Sequence, residues 1–317
     1  MRGYARCLSR DGRRGRRSVR YHLVALLTIL VWGLTFVSTK VLLVDFTPLQ
    51  ILAIRFVIGT IALCILRPHI MRLHERCHEW LFVLAGATGI AAYYLLENIA
   101  LVFTTATAVG VIVAASPLFT AIIAMARGDR SALNVRFVIG FLLAMGGLVL
   151  VGVSTGDEDA MSAFGGLSYF GDLLAFLAAV VWAVYSMLVK RIGELGYETI
   201  ASTKRTFLWG LVFIIPASVL FGGDLPAVHE TFAWDNVANL LFLGLIASAA
   251  CFVTWNVAVR RLGAVVSTTY IYLVPAITAT ASIILLGEPL TVPIVTGLAL
   301  TIAGLVLSQR GQVEREV

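Results

Sequence analysis

The chain has 317 residues, 59% of them hydrophobic and only 13% charged, with a mean hydropathy of +0.93 and a net charge of +6. A soluble domain is about 45–50% apolar and about 25% charged, so a single soluble globule is excluded, as is intrinsic disorder, which needs the opposite bias. Eight of the 24 Lys and Arg lie in the first twenty residues, a placement that argues against a nucleic-acid surface.

Apolar runs follow one another at 22–44, 47–66, 81–103, 106–126, 135–153, 171–189, 206–221, 237–259, 264–286 and 292–308. A membrane-crossing helix takes about 20 residues. The runs are nearly free of charge and lack the period-two alternation of a membrane barrel. They predict an all-α polytopic membrane protein with ten transmembrane helices. The shortest run, 206–221, gains length from residues 200–205 if Lys204 and Arg205 snorkel.

The cations fix an expected orientation. Twenty-two of the 24 Lys and Arg fall in the N-terminal tail, in loops at 67–76, 127–136, 190–205 and 260–261, and in the C-terminal tail. The opposite loops hold none and carry acids, among them Asp45, Asp157, Glu158, Asp159 and Asp235. Positively charged loops stay cytoplasmic, so both termini are expected in the cytoplasm of a multi-pass protein of the inner membrane. The basic tail, 1–21, reads as a topology anchor, an overlong start, or a contact for anionic lipid. The apolar run behind it is too long for a signal peptide and has no small-residue cleavage site.

A weak repeat divides the chain. Asn98-Ile99-Ala100 returns 158 residues later as Asn256-Val257-Ala258, and the same offset pairs Gly86 with Gly244 and Pro117 with Pro275. The segment 140–150 matches 297–307, and Trp32-Gly33 sits where Trp182-Ala183 sits in the second half. Asn and Pro are rare in apolar runs, so several in register make chance a poor explanation. Five helices per copy, an odd number, insert the second copy upside down. The expected organisation is a tail (1–21), a first repeat (22–153), an extracytoplasmic linker (154–170), an inverted second repeat (171–308) and a short cytoplasmic tail (309–317). Inverted repeats are the usual architecture of secondary transporters, with the solute site near the midplane between the halves.

The segments W-G-L-T-F-V-S-T-K (32–40), R-F (55–56), G-D-L-L-A (171–175) with A-x-x-W (179–182), L-V-P (273–275) and L-G-E-P-L (286–290) resemble EamA-type transporters of the drug/metabolite transporter superfamily. The resemblance covers about residues 22–308. It implies secondary transport of small organic solutes, commonly export of amino acids or related metabolites, through a cavity formed by both repeats. The first-half counterpart of Gly287-Glu288 is Gly128-Asp129, a shorter acid, and the arginine-rich tail is not part of the pattern.

Charges inside spans are costly and point to function. Lys40, Arg55 and Glu97 fall at similar depth. They read either as a site for a charged solute group or a coupling proton, or as a buried ion pair locking helices, with Lys40 also able to snorkel. Arg is always charged, so Glu97 is the proton candidate. Pro117 and Pro275 read as paired hinges or as static kinks. Asn98 and Asn256 read as solute contacts or as hydrogen bonds between helices. Trp32, Tyr93, Tyr94, Trp182, Tyr185, Trp255, Tyr270 and Tyr272 are candidates for an aromatic cavity wall. The glycines at 140, 146, 147, 297 and 304 suit close helix packing.

No nucleotide-binding or hydrolytic motif stands in a suitable context, so transport would run on a gradient. The four cysteines show no metal or redox spacing, and His74 with His78 reads as a solvated loop face, or as a metal-binding pair if that segment is helical. No cofactor, metal site or enzyme is expected. The expected partners are a small-molecule solute, the bilayer and a coupling proton. The expected function is export of a small metabolite by alternating access. The alternatives are import of a sugar, nucleotide or amine, a membrane-embedded enzyme, and a non-transporting accessory protein.

Overall fold

A computed structural model describes residues 2–103, 106–129, 134–154, 168–223, 232–286 and 292–313. The centre of the expected linker and the G-E-P-L part of the last motif lie outside these residues. Among the described residues every regular element is a helix. The first half comprises α1 (Arg2–Leu42), α2 (Pro48–Leu66), α3 (Arg76–Phe103), α4 (Ala106–Val113), α5 (Ser116–Ala126) and α6 (Val135–Ser154). The second comprises α7 (Ser168–Glu194), α8 (Thr199–Phe221), α9 (Trp234–Leu262), α10 (Ala264–Thr269), α11 (Leu273–Leu286) and α12 (Val292–Val313). Six segments are long and apolar enough to cross a membrane: Val19–Leu42, Pro48–Leu66, Arg76–Phe103, Tyr169–Glu194, Thr199–Phe221 and Trp234–Leu262. Large apolar side chains such as Leu142, Val212 and Ile246 stand exposed on the outside, as a bilayer-embedded surface requires.

Local chemistry explains the main boundaries. Thr47 and Gln50 form a reciprocal capping box at the start of α2, with Pro48 in the first turn, where its missing N–H costs nothing. The weak run at 206–221 does extend backwards, to Thr199. Lys204 is buried there, and its ammonium donates to the carbonyls of Arg67 (2.5 Å) and His69 (2.9 Å). The expected mid-helix kinks appear as breaks. A turn at residues 114–115 separates α4 from α5, and a 3₁₀ turn, Tyr270–Tyr272, precedes α11. Pro117 and Pro275 lie just after these breaks, in the first turn of the following helix, where proline is tolerated. Helix α1 runs unbroken from Arg2 into the apolar segment.

Helices at matching places in the two halves run antiparallel. At one end of the α2–α8 pair Thr47 Oγ1 donates to the Gly222 carbonyl at 2.9 Å. At the other Arg67 meets Glu198 at 2.9 Å. Along α6 and α12, Gly140 lies against Gly304 and Ser308 while Gly147 lies against Gly297 and Thr301. Cross-packing obeys the same exchange: α1 packs on α9 and α11, and its counterpart α7 packs on α3 and α5. The molecule is thus two copies related by a pseudo-two-fold axis, inverted with respect to one another.

Each half also contains a π-helical stretch at a matching place, Gly86–Ala92 in α3 and Phe242–Ala250 in α9. Both lie on the opposite half, α3 against α8 and α9 against α2. Glycines permit the approach. A Cβ at Gly59 would meet the Gly244 carbonyl, and one at Gly86 would meet the backbone of Gly210. At one end, hereafter the basic end, Arg67, Arg205 and Arg260 bond to Glu198, Glu79 and Tyr197, and Arg261 covers the Tyr21 ring. The opposite, acidic end is tied by Asp45, which accepts from Asn236 Nδ2 at 2.7 Å.

Candidate functional site

At the pseudo-two-fold axis the two first helices of the halves meet through Trp32 and Trp182, ring centroids 5.2 Å apart and edge to face. Phe56 and Phe207 form a second such pair at 5.0 Å. Around them Tyr93, Tyr94, Tyr185, Phe252 and Trp255 complete one aromatic cluster. It borders a cavity of about 30 Å³, lined by Trp32, Thr35, Phe36, Tyr93, Tyr94, Glu97, Val113, Trp182, Ile271 and Val274. That volume holds about two waters. Both halves contribute walls.

Two buried charges lie beside it. Glu97, 5% exposed, lines the cavity beside Tyr93. Arg55 is 1% exposed. Its guanidinium lies over the Tyr94 ring, 4.4 Å from the centroid, and Nε donates to Ser248 Oγ at 3.1 Å. Its Nη2 has no protein partner. Among the described residues no ion pair joins Arg55 or Lys40 to Glu97; the guanidinium is held by an aromatic face and a hydroxyl instead. Lys40 is exposed and borders a depression of about 570 Å³ at the acidic end, together with Asp45 and Gln50.

The indoles differ in a telling way. Trp32 Nε1 donates to the Ala247 carbonyl, inside the second π stretch, at 2.9 Å. The matching Trp182 Nε1, and Trp255 Nε1, have no protein acceptor. Two indole N–H groups and one guanidinium NH₂ group are therefore unused donors in a buried site that also holds a carboxyl group.

Other expected residues serve elsewhere. Asn256 Nδ2 donates to Thr203 at 2.9 Å and its Oδ1 accepts from Tyr185 at 3.1 Å. Asn98 Nδ2 donates to the Pro48 carbonyl at 3.2 Å. Each asparagine thereby ties the third helix of its half to the second. Tyr270 bonds His22 at 2.6 Å, and Tyr272 is buried against Phe141 in a separate cluster with Ala144 and Leu305. Ile271, between them in the 3₁₀ turn, lines this cavity, and the two tyrosines are not among its lining residues.

Sequence reading missed Phe56, Phe207, Phe252 and Ser248. The repeat could have found the three phenylalanines. Phe252 lies 158 residues after Tyr94, and Phe207 lies 151 after Phe56, the offset that also relates Gly59 to Gly210. By the same offsets Arg55 corresponds to Thr206 and Glu97 to Trp255, so both charges belong to the first half alone.

The EamA-like transporter family model matches the chain twice, at residues 19–153 and 169–309, and the chain belongs to that family. It is 29% identical over 300 residues to an uncharacterized transporter of Archaeoglobus fulgidus, covering 92% of this chain and 98% of that one. It is also 29% identical over 291 residues to a protein of Streptantibioticus cattleyicolor named "probable terminal-alkyne amino-acid exporter", covering 90% and 91%. A solved crystal structure superimposes with a TM-score of 0.70 at 21% identity, over 91% of this chain and 98% of that one; at that identity the likeness concerns the fold.

Proposed function

We propose that this transporter exports an amino acid or a related small metabolite across the cytoplasmic membrane by alternating access. In this reading α4 with α5, and α10 with α11, each make one span. Ten spans then form two inverted repeats, 22–153 and 171–308, joined by an extracytoplasmic linker at 154–170. The basic end and both tails, 1–21 and 309–317, face the cytoplasm. No residue is assigned a catalytic role.

The observation that carries the proposal is the small cavity beside the aromatic cluster, walled by both halves and, in this reading, sealed towards each end. Arg67–Glu198, Arg205–Glu79 and the Lys204 contacts close the basic end. Ser38–Asn239 and Asp45–Asn236 close the acidic end. In such an occluded geometry the unused Arg55 Nη2 and the Trp182 N–H suit a carboxylate, while Glu97 suits an ammonium or a coupling proton. Trp32, Tyr94 and Trp182 supply faces for an apolar side chain, and the breaks before Pro117 and Pro275 supply hinges. The name of the Streptantibioticus relative supports the amino-acid class.

Efflux of labelled amino acids from proteoliposomes, with and without a pH gradient, tests this. At least one amino acid is expected to leave, faster with the gradient, and Glu97→Gln is expected to remove that acceleration. Flux of none of them, or a Glu97→Gln protein with full activity and unchanged pH response, refutes the assignment.

A further inference from the structure

The basic end carries a second cluster that transport does not use. We infer that Glu75, Cys77 and His78 form a binding site for a divalent cation of the zinc class. Cys77 Sγ lies 3.2 Å from Glu75 Oε2, and His78 Nε2 lies 3.9 Å from the same oxygen. The three ligand atoms fall within 4.8 Å of one another. In a tetrahedral zinc site, bonds of about 2.0–2.3 Å separate neighbouring ligand atoms by roughly 3.4–3.6 Å. The observed distances straddle that value, so small side-chain adjustments bring all three onto one ion.

The backbone explains the convergence. Glu75 is extended (φ −138°, ψ 144°), and residues Arg76–His78 form a single 3₁₀ turn. The turn folds the two side chains at its end back towards the carboxylate that precedes it. The expectation of no metal site rested on the spacing of the four cysteines and on His74 with His78 as a solvated loop face. In fact the His74 ring is stacked on Tyr197, centroids 4.4 Å apart, and the cysteine supplies the ligand instead.

An independent feature points the same way. His78 Nδ1 lies 2.7 Å from the Tyr197 hydroxyl, which also accepts from the His74 backbone N–H at 2.9 Å. With Nδ1 engaged there, Nε2 is the nitrogen left for a metal, 3.9 Å from Glu75 Oε2. A hydrogen-bond partner on the non-ligating nitrogen is the usual outer support of a metal-bound histidine. Glu75 and Cys77 are exposed, so an ion enters directly and water completes its fourth position. Binding releases the Cys77 thiol proton to solvent. Thiolate and imidazole select zinc, cobalt and their like over magnesium and calcium. Because Tyr197 belongs to the second half, an ion here would brace the loop after α2 against the corner between α7 and α8.

Titrating the full detergent-solubilised chain with Co²⁺ tests the assignment. The expected result is one ion per chain with a thiolate-to-cobalt absorption band, bleached by Zn²⁺ and unaffected by Mg²⁺ or Ca²⁺. Cys77→Ser should abolish the band while leaving the melting temperature of the metal-free protein unchanged. Tyr197→Phe should weaken Co²⁺ binding about 10- to 100-fold. A wild-type protein without the band, a band that survives Cys77→Ser, or a Tyr197→Phe variant that binds as tightly as wild type would overturn the inference.

Discussion

Gly146 and Gly147 are neighbours in α6, yet an added methyl group should have opposite effects at the two positions. A Cβ at Gly147 would stand 2.5 Å from the Gly297 carbonyl oxygen, 2.7 Å from Thr301 Oγ1 and 2.8 Å from Thr301 N. These obstacles are mostly backbone and cannot rotate away. To regain an ordinary contact of 3.4 Å, α6 and α12 must part by about 0.9 Å. A gap of about 0.5–1 Å forfeits a quarter to a half of the dispersion well for every atom pair along the seam. Overpacking of this kind costs about 1–3 kcal/mol. At about 2 °C per kcal/mol for a chain of this size, Gly147→Ala should melt roughly 2–6 °C lower. A Cβ at Gly146 meets nothing within 4 Å, so Gly146→Ala should be neutral or raise stability by up to about 1 kcal/mol through helix propensity. Thermal unfolding in one detergent, with both variants beside wild type, is the assay. Gly147→Ala melting within 1 °C of wild type, or both variants falling together, would show that the two final helices of the halves do not touch backbone to backbone.

Further expectations concern the axis and the basic end. Trp32→Phe and Trp182→Phe remove the same ring area, but only Trp32 spends its N–H on a protein carbonyl. Trp32→Phe should therefore be the less stable of the two by about 0.5–1.5 kcal/mol, whereas Trp182→Phe should show the larger loss in solute affinity when efflux is measured against concentration. Arg67 and Glu198 are both nearly half exposed, so Arg67→Ala should cost about 0–1 kcal/mol. Arg205 makes two bonds to Glu79 and donates to the Met71 carbonyl at 3.0 Å from a more sheltered position. Arg205→Ala should cost about 1.5–3 kcal/mol, and equal melting of the two variants would contradict that ranking.

The long helices were legible because composition and charge act over whole segments. The apolar runs at 47–66 and 171–189 reappear in α2 and α7, and the internal offset of 158 residues reappears as antiparallel, exchangeable packing. The breaks at residues 114–115 and 270–272 were signalled by Pro117 and Pro275, but their form was not, since a proline marks a lost hydrogen bond and not how the preceding turn unwinds. The two π stretches had no visible signal, because an i+5 pattern leaves the same apolar residues in place. Arg55 and Glu97 stood out by charge alone. That they are not an ion pair follows from Ser248 and the Tyr94 face, which depend on how the halves dock. The placement of Tyr270 and Tyr272 on either side of Ile271 was not legible, because a helical turn and a 3₁₀ turn send the same residues in different directions.

The frame of this molecule is symmetric, but its electrostatics are not. Where the first half has Arg55 and Glu97, the second has Thr206 and Trp255. In the proposed alternating access the two halves would exchange conformations, but the charges would not change hands. A cargo held by them would stay attached to the same half throughout the cycle, and the free energies of the two open states would be unequal by construction. Directionality can then originate in which copy kept its ionisable residues, with no need for the gates themselves to differ.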